Sequence, residues 1–407
     1  MSKKKCNSMI LISLSNLLFP VIGFFLTLLY YYITNNISVQ QKKILYFNMA
    51  FSFAFLGFLY TRINETGDLY RYGLSLYYYG ESLFNGRENI ISGIYESFYP
   101  LWYFLLYLTN KLNLNIQFIN FLAGFTIYFC WLYVIYELDK KYMRKHIDKM
   151  LVLKMFLIVS FVALFSSYKT LWAFSLLSVG LYFLMNNQKR GYVFIFFGVS
   201  IHPVAWIPLI IYMISKVIKF NILYLYISIL FGLVFKNFIV IFNSFLDLPF
   251  LGSKINTYIY GEWSQYRFQD NSEYVKFFLL VLLILFILYI IFFKFIDLKN
   301  KNDKYFMTYN NFILWYFSIA LWFVSFRTIS LRLILDGAIF FFPFFYQVFL
   351  YRKIYKKRLL SLFILLIWIF MIDIRTFNIL NDAYQVGNGL PFNIFSSPLF
   401  YILEDSV

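Results

Sequence analysis

The residues equipped for chemistry fall in a handful of places. Gly67 makes a tight turn within Arg62-Ile63-Asn64-Glu65-Thr66-Gly67-Asp68-Leu69-Tyr70-Arg71-Tyr72, directly after an apolar run. The turn holds Asp68 and Arg71, in a stretch that runs from Arg62 to Tyr72, at a water boundary, either as a solvated loop or as a polar cluster that meets a substrate's head group. Lys169 lies in Tyr168-Lys169-Thr170, between two apolar runs with almost no loop. A lysine so placed either faces a cavity or snorkels to the interface. His202 ends another apolar run and precedes Pro203; the other histidine, His146, sits among lysines and arginines. His202 is open to two readings, a structural imidazole or a proton acceptor whose unperturbed pKa of about 6.5 lies near working pH. Arg327 and Arg332 flank a short connection, with Asp336 one helical turn beyond Arg332. Arg332 and Asp336 either neutralise each other or leave a guanidinium fork for phosphate. Finally, Glu262, Trp263, Arg267, Asp270 and Glu273 share the stretch 244–274. Carboxylates that accept from hydroxyls and rings that stack on a sugar face suit a glycan, although an ordinary exposed loop has the same composition.

Several chemistries have no support here. The chain has no Walker lysine loop, no Gly-rich dinucleotide turn, no Gly-x-Ser-x-Gly elbow and no Cys/His metal set. No metal and no cofactor is expected. Cys6 and Cys130 form no disulfide or metal framework, and Cys130 reads as a small core residue.

The elements that must position these groups are membrane helices. Of 407 residues, 61% are hydrophobic and 14% charged, against about a quarter charged in soluble domains. Apolar runs predict helices at 9–33, 44–60, 117–136, 151–167, 170–186, 191–201, 203–219, 221–243, 275–296, 310–326, 333–351 and 358–379. The fold class expected is all-α, a single integral membrane domain over 1–407 with 11–12 spans. The segment 99–112 is too short to span and reads as interfacial or re-entrant. The run 191–201 is also short, and Pro203 separates it from the next apolar run. The first apolar run reads as a retained helix rather than a cleaved signal. The abundance of Phe and Tyr has a bland compositional explanation, so aromatics as such do not mark a ligand site.

The net charge of +17 invites a nucleic-acid reading, but the basic residues sit in short loops between apolar runs. That is the positive-inside pattern, and nucleic acid is not expected as a partner. Lys42-Lys43, 140–149, Lys189-Arg190, Lys216, Lys219, 299–304 and 352–358 all fall on one side if the helices alternate. The opposite, outer side then carries the loops 61–116, 168–169, 244–274 and 327–332, the tail from 380, and His202 at the outer end of its helix. Lys3-Lys4-Lys5 is the exception, because a single helix over 9–33 puts it on the outer side.

Three segments in order carry a family resemblance. They are Gly67-Asp68-Leu69-Tyr70-Arg71-Tyr72 with Tyr99-Pro100-Leu101-Trp102-Tyr103-Phe104-Leu105-Leu106, then Tyr168-Lys169-Thr170-Leu171-Trp172-Ala173, then Ser200-Ile201-His202-Pro203-Val204-Ala205-Trp206-Ile207-Pro208. Together they resemble the EpsG-like and Wzy-type polysaccharide polymerases of bacterial envelopes. Where that family commonly has Arg-Gln, this chain has Tyr168-Lys169. The resemblance implies a membrane glycosyltransferase with a GT-C-like fold in the bacterial cytoplasmic membrane. It would join undecaprenyl-pyrophosphate-linked oligosaccharide repeats at the outer face, working beside a flippase and a chain-length regulator. It further implies cations for the departing pyrophosphate, drawn from Arg62, Arg71, Lys169, Arg327 and Arg332. His202 or Asp68 would serve as base, and Tyr72, Glu262 and Arg267 would contact the substrate. A glycan ligase uses the same parts. A lipid-linked oligosaccharide flippase would show internal repeats and paired broken helices, and a membrane acyltransferase would want a histidine and a carboxylate facing the acyl donor.

Overall fold

The computed structural model describes residues 3–34, 37–58, 99–114, 116–142, 168–232, 234 and 303–323, with short pieces between 329 and 343. Every regular element among them is helical, and the chain is a helical membrane protein. The described residues fall into two compact units, one ending at Ala205 and one beginning at Trp206. The expected helices 151–167, 275–296 and 358–379 lie outside the described residues, as do the loops 61–98 and 244–274.

The first unit opens on a correction. The run 9–33 is not one helix but two, α1 (Lys3–Leu18) and α2 (Pro20–Ile33). Pro20 lacks the N–H that would continue the ladder, and it takes the first position of α2, where no such donor is needed. The chain reverses there so tightly that a Cβ on Gly23 would collide with the Asn16 backbone. At 1.5 Å per residue, 16 and 14 residues give helices of about 20–24 Å, short of the ~30 Å hydrocarbon core.

The hairpin is polar inside and apolar outside. Asn16 Nδ2 donates to Thr27 Oγ1 (2.8 Å), Ser52 donates to Asn16 Oδ1 (2.5 Å), and Asn48 Nδ2 donates to Ser13 Oγ (3.1 Å). Ile10, Leu11, Leu14, Phe25 and Leu29 are exposed on the other face. Apolar burial does not drive helices together in lipid, so hydrogen bonds and close packing must, each bond contributing roughly 0.6–2 kcal/mol. Ser13 and Asn16 meet Asn48 and Ser52 in that order, so α1 runs parallel to α3 (Val39–Phe58). Residues 3–5 therefore start at the same end of the unit as Lys42 and Lys43. The charge exception of the one-helix scheme disappears.

Helix α3 begins five residues before its expected start because Ser38 and Gln41 form a capping box. The Ser38 N–H donates to Gln41 Oε1 (2.9 Å) and the Gln41 N–H to Ser38 Oγ (3.2 Å). It packs on α5 (Ile116–Tyr142), where Lys42 Nζ meets Asp139 Oδ2 at 2.9 Å, both side chains largely buried. Between them in sequence lies α4 (Pro100–Lys111), which at 12 residues is too short to span, as the sequence leads one to expect. Helix α6 (Tyr168–Met185) is the centre of the unit, with nearly all its residues buried.

The loop after α6 sets the register of α7 (Gly191–Ile201). Asn187 adopts the left-handed conformation (φ 59°), and the Gln188 N–H returns to the Phe183 carbonyl at 2.8 Å. This is a compact helix stop that asparagine tolerates. Glycines then let the helices touch: a Cβ on Gly191 would meet the Gly180 carbonyl oxygen at 2.5 Å, and one on Gly198 the Ala173 carbonyl oxygen at 2.8 Å. The same antiparallel register, carried one turn further, brings Lys169 level with His202.

In the second unit, α8 (Trp206–Val217), α9 (Ile222–Gly232) and α10 (Lys304–Ala320) pack together. Asn311 ties the α8–α9 connection to α10 by donating to the Ile218 carbonyl (2.9 Å) and accepting from the Phe220 N–H (2.7 Å). Helix α10 starts before its expected position 310 because the Asp303 side chain caps it, accepting from the Tyr305 N–H at 3.0 Å. Within the expected helix 333–351, residues 333–334 are helical and Asp336–Phe341 form a 3-10 turn; residues 344–351 lie outside the described residues.

Candidate functional site

The N-terminal ends of α4 and α6 and the C-terminal end of α7 bring side chains from three separate parts of the sequence together. Pro100 opens α4, which fixes Tyr99 as its cap and Trp102 on the first turn. Lys169, the second residue of α6, extends its Nζ to 4.6 Å from the centre of the Trp102 ring and 5.4 Å from that of Tyr99. Trp102 is itself wedged against the fully buried Tyr168, ring centres 5.7 Å apart. A ring face attracts an ammonium by about 0.5–2 kcal/mol, most for Trp. Two ring faces thus hold the Lys169 ammonium in place.

His202 enters from α7. The helix ends at Ile201 and His202 is extended (φ −151°, ψ 126°). Pro203 then starts a 3-10 turn, Pro203–Ala205, and brings no N–H of its own. The next donor, the Val204 N–H, points back to His202 Nδ1 at 3.2 Å, and the Ala205 N–H to the His202 carbonyl at 3.0 Å. The imidazole is thus locked by the chain it terminates, is 6% exposed, and stands edge-on to Tyr99 with ring centres 5.3 Å apart. Tyr99 is the common neighbour of the ammonium and the imidazole.

Two further polar side chains on α5 and α6 are buried. Trp172 lies one turn further along α6 and Asn120 on the first turns of α5. The Trp172 indole N–H and both amide atoms of Asn120 have no hydrogen-bond partner among the described residues. A buried polar group left unpaired is costly.

Of the sequence's candidates, Lys169 and His202 are brought together. Arg332 belongs to the second unit, where it is partly exposed and starts a short helical stretch whose Leu333 carbonyl accepts from Tyr316 Oη at 2.6 Å; Asp336 is buried nearby in sequence. Arg62, Asp68, Arg71, Tyr72, Glu262, Arg267 and Arg327 lie outside the described residues. Sequence reasoning assigned no role to Tyr99 or Trp102, because a chain with 54 Phe and 37 Tyr makes any one aromatic uninformative. The usable signal was narrower: two aromatics three apart, opening a short proline-led helix in a protein with a lysine stranded between apolar runs.

The family model described as EpsG family matches residues 46–386. No curated protein and no solved structure matches the chain.

Proposed function

The chain belongs to the EpsG family, membrane proteins of polysaccharide biosynthesis, and from that premise we propose that it is a membrane glycosyltransferase that polymerises lipid-linked oligosaccharide repeats. The growing chain sits on undecaprenyl pyrophosphate at the outer face of the bacterial cytoplasmic membrane. A hydroxyl of the incoming repeat attacks the anomeric carbon, the carbon–oxygen bond to the pyrophosphate breaks, and the electron pair leaves with the diphosphate. The hydroxyl proton passes to a base. Charge therefore builds on the leaving diphosphate, and fixed cations lower the barrier most when they need no rearrangement to meet it.

The observation that carries this reading is the Lys169 ammonium held by Trp102 and Tyr99, with Tyr99 also packed against His202. Arg62, Arg71, Arg327 and Arg332 are the further cations in this reading, Asp68 a proton acceptor, and Tyr72, Glu262 and Arg267 contacts to the sugar. A chain-length regulator and a flippase are the expected protein partners. Deleting the gene tests the reaction: surface glycan should collapse from a ladder to single repeats, and the full-length gene should restore it. A mutant that keeps its normal ladder, or one that loses outer-face repeats altogether as a flippase mutant would, contradicts the proposal.

A further inference from the structure

We propose that His202 acts as a hydrogen-bond donor to the diphosphate, through Nε2–H, and not as the base that takes the acceptor's proton. The inference rests on the polymerase reading and assigns one residue's part within it. Its ground is the bend at Pro203. The Val204 N–H donates to Nδ1, so that nitrogen presents its lone pair to the backbone. A neutral imidazole with an accepting Nδ1 carries its proton on Nε2. That nitrogen is then a donor. To serve as a base, His202 would need either a bare Nε2 or a second proton. A bare Nε2 moves the proton to Nδ1, where it would face the Val204 N–H. Proline prevents an easy escape, because Pro203 supplies no donor that could take over and the turn's other N–H, on Ala205, is already bonded to the His202 carbonyl. The backbone that places the imidazole thereby also fixes its tautomer, as second partners do for other functional histidines.

The neighbourhood fits a donor. Tyr99 touches both the imidazole and the Lys169 ammonium. An N–H donor and a cation sharing one aromatic neighbour make a two-point grip for an oxyanion, the lysine giving charge and the imidazole direction. The reaction balances without His202 as acceptor: the attacking hydroxyl loses its proton to a carboxylate, for which Asp68 is the candidate in the sequence.

Two experiments on the full-length protein test this. With only two histidines in the chain, a His146→Gln variant labelled with ring-¹⁵N histidine in lipid nanodiscs reports His202 alone. Magnetic resonance should show Nε2 protonated and Nδ1 bare at neutral pH; a protonated Nδ1 overturns the proposal. In a deletion strain, His202→Gln, whose amide N–H can stand where Nε2–H stood, should keep most of the ladder. His202→Ala should lose polymer and undecaprenyl pyrophosphate affinity by roughly ten- to a hundredfold. If both variants are inactive at normal protein level while binding undecaprenyl pyrophosphate as tightly as wild type, His202 is the base and the inference fails, although the polymerase reading stands. If neither His202 variant nor Lys169→Gln changes the ladder, the site reading itself fails.

Discussion

Two prolines break two apolar runs in the first unit, and the chain does different things with the breaks. At Phe19-Pro20 it turns back on itself, and the gap is filled by uncharged groups: Gly23 against the Asn16 backbone, Asn16 bonded to Thr27, Ser52 bonded to Asn16. At His202-Pro203 the donor left over by the bend is taken by a titratable ring that also meets an aromatic neighbour of a caged lysine. The first break uses its polar atoms to satisfy one another and is finished. The second sets an imidazole and an ammonium against one shared ring, Tyr99. A proline in an apolar run marks where the ladder opens; the side chains around it decide whether the opening is architecture or a site.

That contrast breaks most readily at Lys169. Lys169→Gln should cut polymer length and yield about a hundredfold or more, with wild-type amounts of protein in the membrane, read from the glycan ladder and a blot of the same cells. Asn16→Leu should do the reverse, lowering the amount of folded protein while polymer per molecule stays near wild type. If Asn16→Leu abolishes turnover per molecule, the two breaks are not separable.

Next in size are the close approaches. Gly23→Val and Gly198→Val should each destabilise the protein by roughly 1–3 kcal/mol, seen as a lower unfolding midpoint in detergent. Gly198→Val should in addition reduce activity, because Gly198 sets the α6–α7 register one turn before His202. A smaller effect separates Trp102→Leu from Trp102→Phe. Losing a ring beside Lys169 forfeits about 0.5–2 kcal/mol, so the leucine variant should raise KM several-fold and the phenylalanine variant less. The hairpin makes a prediction about sides as well: cysteines placed at positions 3 and 43 should be labelled by an impermeant thiol reagent from the same face of the membrane.

Much of this was readable from the sequence, and the misses have physical causes. Composition and apolar runs showed an all-helical membrane protein, since lipid leaves few other solutions. The break before Pro203 was visible because 191–201 is too short to span; the break at Pro20 was hidden inside a run of ordinary spanning length. An apolar window starts α3 and α10 late because Ser38-Gln41 and Asp303, which cap them, are polar and fall outside it. Lys169 and His202 stood out as ionisable groups in apolar surroundings. Tyr99 and Trp102, which unite them, did not, because their role exists only once α4, α6 and α7 meet. The unexplained charge of Lys3-Lys4-Lys5 was itself a sign that 9–33 is two helices rather than one.

The most direct measurement is turnover by the purified protein in liposomes supplied with lipid-linked repeat units extracted from a deletion strain. Wild type should release undecaprenyl pyrophosphate and build chains of many repeats, and Lys169→Gln should leave the repeats single. Repeats left unjoined by the wild type, or full chains from Lys169→Gln, would contradict the claim that a caged ammonium at this site grips the leaving diphosphate.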